Sequence, residues 1–128
     1  MTRAGSGPFT TVSRILPLFR LVFGAVGVLS PRRLGRWYGL SGSAEGSLDI
    51  ACRYASIRAV GLGLGQVAAS PERRHDWDRI ALLVDCLDTL AVVHAGLRGR
   101  ISTRSALVML SGTLTGVVLG GLAALEER

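Results

Sequence analysis

The stretch Trp77-Asp78-Arg79-Ile80-Ala81-Leu82-Leu83-Val84-Asp85-Cys86-Leu87-Asp88-Thr89-Leu90-Ala91-Val92-Val93-His94-Ala95-Gly96-Leu97 decides how this chain is read. As a helix it is long enough to cross a bilayer. Yet it carries two aspartates, Asp85 and Asp88, well inside its apolar run. A charge at membrane depth is costly, so it must find a partner or a polar cavity. Arg20, Arg53 and Arg58 lie in two other apolar segments of the same chain and are the obvious partners.

Composition agrees with lipid as the solvent. Hydrophobic residues make up 48% of the 128 residues but aromatics only 5%, and the chain holds 17 glycines. Mean hydropathy is +0.40. Leu, Val, Ala and Gly in bulk suit close-packed helices in a membrane. One domain is expected, since the chain is too short for a second core. The net charge of +6 comes from arginine alone. Basic loops at anionic headgroups account for it. A nucleic-acid interface would need a basic face, and these arginines are scattered between apolar runs. Cys52 and Cys86 read as reduced, small hydrophobes within helices. Cys86 and His94 are spaced wrongly for a shared metal, and no CxxC or HxxxH occurs, so neither metal nor cofactor is expected.

Four apolar segments follow a flexible tail over residues 1–12. The spans are expected at about 14–30, 48–69, 77–97 and 104–125, giving a membrane domain over 13–125. Ser30-Pro31 closes the first span, and Pro17 falls in its first turn. A signal peptide cleaved near Ala25-Val26-Gly27 is the alternative, against which Arg20 counts. A loop of about Pro31–Ser47 carries Arg32, Arg33 and Arg36, with Trp37-Tyr38 as interfacial anchors. Ser70-Pro71 ends the second span, and Arg98-Gly99-Arg100 makes the last turn. The fourth span holds no charge from Ser105 to Leu125. Its Gly112, Gly116 and Gly120 recur every four residues, a pattern for close helix contact and a route to a homo-oligomer. A soluble four-helix bundle is the rival fold, but no helix shows the full polar face it requires. The arginines divide six to six between the two ends, so the positive-inside rule assigns no orientation.

Depth along the helices matches charges of opposite sign. At about 1.5 Å per residue, Arg20 and Asp85 both lie roughly 10 Å from the end bearing the second loop. Arg58 and Asp88 both come out at roughly 15–18 Å, near the midplane. Asp85 and Asp88 share a helix face that Ala81 and Val92 extend. Arg53 either snorkels outward or meets Asp49. The simplest role for such pairs is to fasten helices together. A second is acid/base chemistry: one protonated and one ionised aspartate, held by Arg58, would suit epoxide opening, cyclisation or isomerisation of a lipophilic substrate. A third is a proton or ion conduit, which so small a chain would build as an oligomer. Gly61-Leu62-Gly63-Leu64-Gly65 lacks the spacing of a nucleotide-binding loop and reads as close helix packing, while His94 reads as an interfacial residue.

The segment Ile57-Arg58-Ala59-Val60-Gly61-Leu62-Gly63-Leu64-Gly65, followed in the next span by Asp88, resembles a broad group of small bacterial membrane proteins. These four-span proteins, common in actinobacteria and loosely DoxX-like, have no assigned activity. The likeness covers residues 14–125 in outline. It implies an all-α, four-helix transmembrane bundle in a bacterial inner membrane and no particular reaction. The basic first loop and Asp85 depart from it.

Overall fold

The computed structural model describes residues 8–40 and 45–126, with side chains for 14–40 and 48–125. Among the described residues all regular structure is helical, in five helices: α1 (Pro8–Leu29), α2 (Pro31–Trp37), α3 (Glu45–Ala68), α4 (Pro71–Leu97) and α5 (Thr103–Glu126). Proline sets two of the starts. Pro31 and Pro71 occupy the first helical position after Ser30 and Ser70, neither of which caps through its side chain. Ser102 starts α5 instead by accepting the Ser105 N–H at 3.1 Å.

Glycine sets two of the ends. Gly39 and Gly99 take φ of 68° and 65°, a left-handed conformation that costs other residues more. After α2, Leu40 N–H donates to the Gly35 carbonyl at 2.9 Å and Gly39 N–H to Arg36 at 3.0 Å. After α4, Arg100 and Gly99 donate in the same pattern to Ala95 and Gly96, at 2.9 and 3.0 Å. Both are Schellman closures.

Three expectations need adjustment. The tail expected over 1–12 is helical from Pro8, and residues 1–7 lie outside the described residues. Pro17 is therefore inside α1 and not in its first turn. The loop expected from Pro31 contains α2, a helix too short for periodicity to show it. It forms because Pro31 presets the first turn and Leu34 is buried beside α1 and α3.

α1 packs along α3, and α4 along α5, as two antiparallel pairs that meet each other over narrower surfaces. Missing side chains make the first pair tight. A Cβ on Gly24 would lie 2.8 Å from the Ser56 carbonyl oxygen, and one on Gly63 would lie 2.9 Å from that of Pro17. At Gly27 it would collide with the Ser56 hydroxyl and sit 2.7 Å from Leu34 Cδ2. In the second pair Gly120 meets Leu82, where a Cβ would be 3.3 Å away. Trp77 on α4 covers Gly65 on α3.

Polarity is turned inside out. The buried residues include Arg20, Ser56, Gln66 and Ser105, whereas Phe19, Val22, Leu83, Leu90, Leu107 and Val118 are exposed. A water-soluble bundle would reverse this, whereas lipid accepts an apolar exterior and forces polar groups inward. α4 and α5 are each long and apolar enough to cross a membrane. α1 and α2 qualify only as a pair bent by 114°. α3 equals α5 in length but carries Arg53, Arg58 and Gln66.

Candidate functional site

Polar side chains line the seam between the two helix pairs. On α4 the residues Asp78, Ala81, Asp85, Asp88 and Val92 recur every three or four positions, so they form one stripe. Ala81 and Val92 are buried, and the aspartates between and beside them face α1 and α3. Arg20 comes from α1 and Arg58 from α3. Both depth-matched pairs are made: Arg20 Nη2 with Asp85 Oδ2, and Arg58 Nη2 with Asp88 Oδ2 at 2.7 Å.

The pairs differ in their surroundings. The side chains of Arg20 and Asp85 are 10% and 14% exposed, those of Arg58 and Asp88 49% and 26%. Arg20 also donates from Nη1 to Gln66 Oε1 at 2.7 Å, and Gln66 Nε2 donates to Asp78 Oδ1 at 2.6 Å. A continuous file therefore runs Asp85–Arg20–Gln66–Asp78 through α4, α1, α3 and back to α4. Each contact is through a single nitrogen and not through a two-pronged fork.

α5 makes room for this file. Gly116 backs onto Asp85, and a Cβ there would lie 2.7 Å from the carboxylate carbon. Gly116 and Gly120 thus serve contact between α5 and α4 within the chain, while Gly112 has open space beside it. That space is a cleft of about 340 Å³ between the pairs. Arg20, Arg58, Asp85 and Asp88 form its polar wall, and Phe19 and Phe23 its aromatic one. A second, apolar groove of about 460 Å³ between α1 and α5 shares Leu16, Phe19, Gly112 and Gly116 with the cleft. The polar wall is therefore reached from the side, between two helices whose outer faces are apolar.

Arg53 does not join the cluster. It lies on the exposed side of α3, five positions from Arg58 and so well around the helix. Asp49, its other possible partner, is instead 3.5 Å from Arg32. Trp37 is exposed, but Tyr38 turns inward and its ring meets Phe23 edge-on at 6.0 Å between centroids. Cys52 and Cys86 are free thiols, and His94 is exposed. Among the described residues no three His, Cys, Asp or Glu side chains are placed to hold a metal ion.

Gln66 and Asp78 are the members that sequence reasoning missed. Their signals were present but faint: Gln66 is the sole glutamine of the chain, and Asp78 is seven residues before Asp85 on the same helix face. No family model matches the chain, and no curated protein or solved structure is significantly similar to it.

Proposed function

We propose that this chain is an integral membrane protein of four crossings whose Arg/Asp network fastens two helix pairs and lines a cavity for a lipophilic ligand. The observation that carries this reading is the contrast between the two ion pairs. Arg20–Asp85 is sealed and cross-braced, as a fastening is. Arg58–Asp88 is open to a cleft that continues into an apolar groove. A volume of this size with few polar groups on one wall is the usual form of a small-molecule site. The bacterial inner membrane is the location that the resemblance of the Arg58–Gly65 segment and Asp88 supports.

Co-purifying lipid is the test. Native mass spectrometry of the detergent-extracted protein should find a bound lipophilic species, and Gly112→Leu should remove that species by filling the cleft. Gly112 has free space for the added side chain, so the variant should fold as before. A spectrum in which no adduct species is lost on this change would sink the cavity reading.

A second reading, acid/base chemistry on that ligand, is favoured by the position of Asp88. Its carboxylate faces the cleft while Arg58 holds one oxygen, a geometry in which the other oxygen can exchange a proton with a bound molecule. Epoxide opening, cyclisation and isomerisation are the reactions that need no cosubstrate. Asp88→Asn would then leave ligand capture intact and abolish its conversion. The conduit reading is weaker, because the Arg20 guanidinium stands in the middle of the file and opposes protons and cations. A homo-oligomer through Gly112 has only that one unoccupied glycine of the stripe to offer.

A further inference from the structure

The sequence divides the arginines equally between the two ends, but the described side chains do not make equal surfaces. At the end formed by α2 and the α4–α5 turn, Arg32, Arg33, Arg36, Arg98, Arg100 and Arg104 are all exposed. Among the described side chains at this end one carboxylate opposes them, Asp49, which already lies 3.5 Å from Arg32. At the other end Glu72, Asp76 and Asp78 alternate with Arg73, Arg74 and Arg79 along the first turns of α4. The counts tie, but the fields do not.

The basic end is also built as a platform. α2 turns by 114° from α1, so it lies roughly along the membrane surface when α1 crosses the bilayer. It buries Pro31, Leu34 and Gly35 and turns Arg32, Arg33, Arg36 and Trp37 outward. Ser105 on α5 donates to the Gly39 carbonyl at 3.1 Å, which ties the end of α2 to the start of α5. The arginines of α2 and of the α4–α5 turn therefore belong to one braced surface. Guanidinium groups recognise phosphate oxygens by directional hydrogen bonds as well as by charge.

We propose that this end binds the phosphodiester headgroups of anionic phospholipids and gathers them around α2. The occupant is a membrane lipid and not a soluble phosphate or nucleic acid, because the arginines rim a body whose flanks are exposed leucine, valine and phenylalanine. A polybasic rim at such a boundary meets headgroups first. The inference rests on the membrane reading of the fold, and independently of it on the distribution of charge.

Trp37 reports on this surface. With Trp77→Phe, which keeps a ring over Gly65, Trp37 is the single tryptophan left in the full chain. The protein would be reconstituted into phosphatidylcholine vesicles with a minor fraction of brominated phosphatidylglycerol or of brominated phosphatidylcholine. Flotation with the vesicles tests the membrane reading by itself. Quenching of Trp37 should then show roughly fivefold enrichment of the anionic lipid, what about one basic side chain near the surface is worth. Salt should shrink the excess. Arg33→Gln/Arg36→Gln/Arg98→Gln/Arg100→Gln should erase it, and Arg73→Gln/Arg74→Gln should not. As a second readout, native mass spectrometry of the unchanged chain should show phosphatidylglycerol adducts that the fourfold variant loses. A protein that floats but is quenched equally by both brominated lipids overturns the proposal and leaves the membrane reading standing. Excess quenching that persists in the fourfold variant overturns it too.

Discussion

The seam between α1 and α3 and the seam between the two helix pairs solve the same problem by opposite means. Along α1 and α3, glycines at 24, 27 and 63 remove side chains so that backbones approach closely. Between the pairs, Arg20, Arg58, Gln66 and the α4 aspartates hold helices that meet less closely. In lipid no hydrophobic effect drives helices together, so packing and polar bonding are the means available. A seam of bare backbone leaves no volume for anything else. A seam held by long polar side chains props helices apart and leaves a cleft. The cleft therefore belongs to the second kind of seam.

The largest expected effect breaks the polar seam at its sealed point. Asp85→Ala leaves the Arg20 charge buried without its carboxylate and should cost about 3–5 kcal/mol in detergent unfolding. The paired change Arg20→Met with Asp85→Leu should recover most of that loss. No recovery would mean that the network does more than hold the helices. Next comes the glycine seam: Gly27→Ala should cost about 1–3 kcal/mol by overpacking against Ser56 and Leu34. Gly61→Ala, which meets nothing, is its control, and equal losses at both sites would contradict the close approach.

Gly116→Ala tests the α4–α5 contact that backs the polar seam, since the methyl group would displace the Asp85 carboxylate. A loss of about 1–2 kcal/mol is expected, and it should shrink in an Arg20→Met/Asp85→Ala background, which removes the group that the methyl meets. The smallest effect is Asp88→Asn, at under about 1 kcal/mol, because its pair with Arg58 is open to the cleft. A large destabilisation there would erase the distinction between fastening and cavity wall.

Depth along the apolar segments makes the two ion pairs legible in the sequence, because segments counted from shared ends share one ruler. Arg20–Asp85 and Arg58–Asp88 could be matched on that ruler alone. Depth says nothing of direction around a helix, so it cannot show that Arg53 lies on a different side of α3 from Arg58. Gln66 escaped notice because a neutral amide carries no charge to be explained, and Asp78 because a residue near a helix start looks solvated. α2 has seven residues, too few for two turns of apolar repeat. The glycine repeat on α5 announced close contact but not its partner, and two of its three positions turn out to face α4.

The α4 aspartates pair with α1 and α3, through Arg20, Arg58 and Gln66. On the proposed reading of four crossings, each hairpin alone would thus hold uncompensated charge of one sign inside the bilayer: positive in the first, negative in the second. Neither half is a comfortable resident of lipid without the other. The chain is in effect a heterodimer whose subunits are joined at Ala69 and Ser70, and cutting it there should yield two fragments that are cleared when expressed singly and persist when expressed together.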